Sequence, residues 1–315
     1  MNNPPSGVIA PKPLFRDPVF DGAADPVVVW NQQEKQWFLF YTNRRANVPD
    51  LPGVSWVYGT PIGIAASSDG GATWQYRGTA GIDLGEAPTY WAPDVIAHDD
   101  GYHMFLTYVP QIRTDWSGER RIVHLTSSDL LQWEYHSTLA LSSDKVIDAA
   151  VLRLPDGAWR LYYNNEVDNK SIYYADSPDL FTWQDGGKVV GDRQGEGPKV
   201  FYWFGRYWMI VDLWQGLGVY HSTDTLHWTP QERKLLDTPG SGPEDGTKGH
   251  HADVVVNGDR AYLFYFTHPG RLGPDADRDT YEQRRTSLQV VELTYQEGEL
   301  HADRDQPTYI ALKGG

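Results

Sequence analysis

The chain has 315 residues, no cysteine and a formal net charge of −15. That length holds one large β domain or two ordinary ones and buries a core without cross-links, and the lack of cysteine excludes disulfides, a thiol nucleophile and Cys-ligated zinc. The acidic balance argues against nucleic acid and anionic membranes as partners, no apolar run approaches the roughly 20 residues of a membrane helix, and the opening MNNPPSGVIAPKP lacks the apolar stretch of a secretory signal, so a cytoplasmic location is expected.

In chain order, VIAPKPLFRDPVF (8–20) is expected to supply an outer strand that closes the molecule. Five strand pairs follow. ADPVVVW leads to QWFLFYTNR, and WAPDVIAH leads through Asp-Gly to YHMFLTY. IDAAVLRL leads through Pro-Asp-Gly to AWRLYYNNE, EGPKVFYW through Phe-Gly to RYWMIVDLW, and HHADVVV through Asn-Gly-Asp to RAYLFYFTH. Asp-Gly and Asn-Gly between alternating apolar runs are hairpin signals. The first four pairs are each followed by a third strand and a Ser/Thr–x–Asp turn ending in Trp: SSDGGATW to Trp74, SSDLLQW to Trp133, SPDLFTW to Trp183 and STDTLHW to Trp228. Asp closes such a turn on its own backbone, and the Trp packs at the start of a fourth strand. The last repeat ends instead in RRTSLQVVELTYQEGELHADRD, a hairpin with a Glu-Gly turn.

This is an internal repeat of four-stranded units, and a single all-β domain over 1–315 is expected: a five-bladed β-propeller with blades at roughly 20–80, 88–138, 145–188, 195–233 and 249–300. Loop-like composition at 44–60, 110–120, 237–249 and 269–283 marks rim loops. The chain also carries 13 Trp and 19 Tyr, side chains that suit both strands and the flat faces of sugar rings.

Counting back from the aromatic that opens each second strand, the start of the innermost strand carries Asp25, Trp91, Asp148, Glu196 and His251, at intervals of 66, 57, 48 and 55 residues. In a propeller these starts converge on one mouth of the central channel. Taken singly, each acid reads as a strand-start carboxylate bonded to backbone. Three carboxyls brought to one mouth raise one another's pKa values, an arrangement found mostly at working sites. A pair of carboxyls with separated pKa values suits glycosidic cleavage: one donates a proton to the leaving oxygen and the other activates water or attacks the sugar.

In order and spacing, ADP at 24–26, WAPDV at 91–95, IDAAVL at 147–152, EGPKVF at 196–201 and HHADVVV at 250–256 resemble glycoside hydrolase family 43, over roughly residues 15–300. The resemblance implies an inverting glycosidase that removes a terminal pentose or furanose unit, of α-L-arabinofuranosidase or β-xylosidase type, from an oligosaccharide. β-Galactofuranosidase or galactosidase action is the alternative. It implies Asp25 as general base, Glu196 as general acid and Asp148 as the residue that orients the acid and tunes its pKa. It further implies Trp91 and Asp94 at the sugar, and Arg284 or the adjacent Arg285 on its hydroxyls. His251 would face the central channel, where a calcium or other ion would be held through water, although the chemistry itself would require no cofactor.

Two rivals stand beside this. Related propellers that cleave sucrose and fructans retain configuration, but the chain has neither an Asn-Asp-Pro-Asn-Gly segment near its start nor a Glu-Cys pair. A non-catalytic sugar-binding propeller would keep the aromatic residues without needing the three carboxyls. Oligomeric state is not legible.

Overall fold

The computed structural model describes residues 7–86 and 88–314; the rest, including residues 1–6 of the segment read for a signal, lie outside the described residues. A short strand β1 (Val8–Ile9) precedes five consecutive four-stranded antiparallel sheets. Blade 1 holds β2 (Ala23–Asn31), β3 (Gln36–Asn43), β4 (Ile62–Ser67) and β5 (Gln75–Thr79). Blade 2 holds β6 (Thr89–His98), β7 (Gly101–Val109), β8 (Arg121–Ser127) and β9 (Glu134–Thr138). Blade 3 holds β10 (Val146–Arg153), β11 (Trp159–Asn165), β12 (Ser171–Ser177) and β13 (Gln184–Val190). Blade 4 holds β14 (Glu196–Trp203), β15 (Arg206–Asp212), β16 (Leu217–Ser222) and β17 (Thr229–Pro230). Blade 5 holds β18 (His250–Asn257), β19 (Arg260–Thr267), β20 (Ser287–Gln296) and β21 (Glu299–Ala302), and β22 (Tyr309–Ile310) ends the chain. This is the expected five-bladed β-propeller. Among the described residues no helix is long and apolar enough to cross a membrane.

The repeat turns form as their sequence dictates. Asp129 Oδ1 accepts the N–H groups of Leu131 and Gln132, Asp179 Oδ1 those of Phe181 and Thr182, and Asp224 Oδ1 those of Leu226 and His227. Asp69 Oδ1 accepts from Thr73, one residue later because of the extra glycine. Each blade packs its face on the next. Phe38 and Phe40 of blade 1 share a buried cluster with Met104 and Leu106 of blade 2; Phe105 shares one with Leu161 of blade 3, Tyr162 with Met209 of blade 4, Trp208 and Ile210 with Leu263 of blade 5, and Phe264 with Leu39 and Trp74 of blade 1. Each such fully buried side chain contributes about 1.5–3 kcal/mol, so the ring is held by five apolar seams rather than by one central core.

Closure differs from the expectation. Blade 5 completes itself with β21, so the N-terminal segment supplies no fourth strand. Instead β1 pairs with β22 (Val8 opposite Ile310) outside the blades, and Phe15 bridges Leu288 of β20. The Glu297-Gly298 turn, with φ of +52° and +91°, is tight enough to return the chain as its own outer strand.

Candidate active site

Every innermost strand breaks its pairing register at one place: between Ala24 and Val27, Trp91 and Asp94, Ile147 and Ala150, Glu196 and Lys199, and His250 and Asp253. Such bulges re-aim a side chain and recur beside active sites. The first residue of the bulge is Asp25, Ala92, Asp148, Gly197 or His251, and the first four are left-handed, with φ of +51°, +43°, +60° and +57°. For Asp and Ala that conformation costs about 1–3 kcal/mol each. The register read from sequence is thus corrected: Trp91 and Glu196 stand one residue ahead of Asp25, Asp148 and His251. The aromatic that opens the second strand does not hold one strand position: Tyr207 lies three residues before the partner of Lys199, Tyr262 two before the partner of Asp253.

The second strand of one blade braces the bulge of the next. Thr42 Oγ1 accepts the Ala92 N–H at 2.8 Å, and Thr107 Oγ1 accepts the Asp148 N–H at 3.0 Å. Asp212 Oδ2 accepts the His251 N–H at 3.0 Å, while its Oδ1 accepts the Trp214 N–H at 2.7 Å. Burial works to raise the Asp212 pKa, but His250 and these two N–H groups outweigh it and hold the carboxylate low.

Asp148 is buried, and its Oδ2 accepts the Gly197 N–H at 2.9 Å. Burial, opposed by His251 and reinforced by the charges of Glu196 and Asp25, pushes Asp148 up to about 7. Asp148 therefore feels the charges of both other carboxyls. Asp25 belongs to blade 1 and Glu196 to blade 4, so the two reach this site from non-adjacent blades.

Asp25 receives Arg44 Nη2 at 3.2 and 3.3 Å on its two oxygens, and His251 Nδ1 lies 3.6 Å away. Glu196 accepts Trp214 Nε1–H on Oε1 at 3.0 Å and Lys170 Nζ on Oε2 at 3.1 Å. Lys170 also reaches Glu166 at 2.9 Å, and Glu166 reaches Arg120 at 3.0 Å. Burial would lower the Lys170 pKa; Glu196 and Glu166 together raise it. Arg44, Lys170 and Trp214 all sit on loops that leave the second strand of a blade, outside the repeating slot, which is why a slot-by-slot reading misses them.

Trp91 is buried in the wall, its Nε1–H donated to Val57 O at 2.6 Å and its ring edge-on to Tyr58. On the expected rim loop, Trp116 stands beside both rings and is 59% exposed, an open aromatic face that sequence reasoning did not single out.

Three residues expected at the sugar have protein partners of their own. Asp94 Oδ2 accepts the Val151 N–H at 2.6 Å and its Oδ1 binds Lys199 at 3.0 Å. Arg284 is clamped by Asp279 (2.7 Å), rests 5.8 Å over Trp56, and lines a cleft of about 470 Å³ beside the 46–51 loop. Arg285 pairs with Glu244 and Glu282 at 2.9 and 2.8 Å. The arginine on the Asp25 carboxylate is Arg44.

The channel below the site carries its own cation. Lys199 of blade 4 reaches Asp94 of blade 2 and, at 2.8 Å, Asp253 of blade 5, a span that crosses the axis. A calcium ion takes 6–8 oxygen ligands. Here two axial carboxylates are engaged by an ammonium, and His251 offers one nitrogen. Among the described residues no group of three ligand side chains includes His251. These side chains offer calcium no direct cage of oxygens.

No protein-family model matches the chain, and no curated protein matches it. Its fold is that of solved family-43 glycoside hydrolases. A thermostable family-43 glycoside hydrolase is 19% identical with a TM-score of 0.66, over 95% of this chain and 98% of that one. A family-43 β-1,3-galactosidase solved with galactodeoxynojirimycin is 13% identical with a TM-score of 0.68, over 96% and 99%. An α-L-arabinofuranosidase from Lactobacillus brevis is 16% identical with a TM-score of 0.67, over 94% and 98%.

Proposed function

We propose that the protein is a glycoside hydrolase of the family-43 kind that cleaves with inversion and removes a terminal pentose or furanose unit from an oligosaccharide. The observation that carries this is the set of three carboxyls at one mouth, two of them in strained left-handed bulges. Solved proteins of this fold include a galactosidase and an arabinofuranosidase, so hexose release is the second reading.

Inversion needs a base on one face of the sugar and an acid on the other, with a water between. Asp25 would take the proton of that water, with Arg44 as counter-charge. Glu196 would donate to the leaving oxygen, its carboxyl fixed by Trp214 and Lys170. Asp148 would hold the Glu196 backbone through Gly197, and its bulge charge would respond to the protonation of its two neighbours. Trp116 would stack on a sugar ring toward the rim. The chemistry needs no cofactor.

The test is hydrolysis of aryl α-L-arabinofuranoside, β-D-xyloside, β-D-galactofuranoside and β-D-galactoside by wild type and Asp25→Asn. Release of aryl alcohol from one of them that vanishes in the variant is expected and names the sugar. Equal release by both proteins would overturn the reading.

A further inference from the structure

Four of the ten histidines gather on blade 2, at the end remote from the carboxyls. β6 enters at the mouth and runs away from it, so His98 lies roughly 13 Å beyond Asp94, at about 3.3 Å per residue. In the turn that follows, His98 Nδ1 lies 2.6 Å and His103 Nε2 3.0 Å from the same oxygen, Asp100 Oδ1. His103 pairs with Ile96, so His98 and His103 are diagonal neighbours on one face of the hairpin. The three ligand atoms all lie within 4.8 Å of one another.

We propose that His98, Asp100 and His103 form a binding site for a borderline divalent transition-metal ion such as zinc. The donor set is two imidazoles and a carboxylate, which suits zinc at about 2.0–2.2 Å from each atom with water in the fourth position. Hydrogen bonding within the turn accounts for the contacts to Asp100, but the arrangement behind them goes beyond it. Both imidazoles converge on a single carboxylate oxygen. Behind them His103 Nδ1 lies 2.8 Å from Nε2 of fully buried His124, and His124 Nδ1 has no hydrogen-bond partner. Metal-bound imidazoles ordinarily hydrogen-bond through their other nitrogen to a group that fixes ring and tautomer. His124 is placed for that part. Its ring lies between those of His103 (5.0 Å) and His136 (5.1 Å), with Phe181 of blade 3 against all three. His103 is buried while His98 and Asp100 reach solvent, with side chains 28% and 49% exposed, so an ion can enter from one side onto a rigid back wall. The site ties the β6–β7 turn together where blade 3 packs, and it is independent of the sugar reading.

The experiment is titration of the full chain with zinc after chelator treatment, followed by calorimetry and thermal unfolding. Wild type should bind one equivalent, and its unfolding midpoint should rise in micromolar zinc, since an ion bound only by the folded state stabilises it. His98→Ala and Asp100→Asn should each weaken binding at least tenfold while leaving the metal-free midpoint within a few degrees. His227→Ala, at a solvent-exposed histidine elsewhere, should bind as wild type does. Cobalt gives a second readout that does not depend on the variants' stability: strong visible bands of four-coordinate cobalt are expected in wild type and absent in His98→Ala. Failure of wild type to bind zinc, or wild-type affinity and cobalt spectra in both site variants, would overturn the proposal.

Discussion

The carboxylate of Asp148 accepts the backbone N–H of Gly197 at 2.9 Å, one residue from Glu196. A buried acid on blade 3 thereby sets the position of an acid on blade 4 without touching its side chain. Asp148 is raised to about 7 by burial, with Glu196 and Asp25 adding to the rise against His251. An unfolded Asp releases its proton near 4, so between about pH 4 and 7 the folded state holds a proton that the unfolded state has lost. Stability from this group is therefore complete below pH 4, falls as pH rises to about 7, and is level above it. Asp148→Asn keeps an acceptor for Gly197 and abolishes the titration. Its unfolding midpoint relative to wild type should climb across pH 4–7 and then stay constant, while activity drops. A constant gap across pH 4–8 would refute this.

Glu196→Gln should lower kcat by about 10²–10⁴, the range of general acid catalysis, with circular dichroism unchanged. The loss should shrink for a dinitrophenyl glycoside, whose leaving group needs no proton. Asp25→Asn should lose as much on either substrate. Activity of Glu196→Gln within tenfold of wild type on an alkyl-type leaving group would remove it as the acid.

Trp214→Phe takes away the indole N–H that meets Glu196 Oε1, and Lys170→Met takes away the ammonium on Oε2. Each should lower kcat about tenfold through a misplaced carboxyl, with a smaller change in KM. Lys170→Arg should restore part of the loss. Steady-state kinetics on the substrate found for wild type decides it.

Gly197→Ala forces a side chain into φ +57° and brings a Cβ to 2.7 Å from the His251 ring. A cost of about 1–3 kcal/mol follows from the backbone alone, and urea unfolding should show at least that. A silent substitution would mean the bulge is not as tight as the geometry has it.

Lys199→Met leaves Asp94 and Asp253 facing each other in the channel. Breaking a buried ion pair from one side costs about 3–5 kcal/mol. Asp94→Asn and Asp253→Asn added to Lys199→Met should recover much of it, as read from unfolding midpoints.

The five blades were legible because four of them repeat a Gly-marked hairpin and four an Asp turn, devices that act over a few residues. Asp25, Asp148 and Glu196 were legible because they recur at the start of the innermost strand. Their register was not: the aromatic counted from lies three residues before the partner of Lys199 in β15 (Tyr207) but two before the partner of Asp253 in β19 (Tyr262), which hides the one-residue lead of Glu196. Arg44, Lys170 and Trp214 sit on loops that obey no repeat, so only the three-dimensional closure of the ring brings them to the carboxyls, and the Trp116 loop likewise reaches Trp91 only in the fold. Asp94 looked available because a sequence does not show that Lys199 arrives from two blades away. The N-terminal segment does form a strand, but it pairs with β22 rather than with a blade, because β20 and β21 already complete blade 5 across Glu297-Gly298.

The most direct test of the central claim is proton NMR of the first-formed sugar, recorded on the substrate the panel identifies before mutarotation. Asp25 acting as a base on water predicts the anomer opposite to that of the substrate. The same anomer as the substrate would make Asp25 a nucleophile and contradict the account.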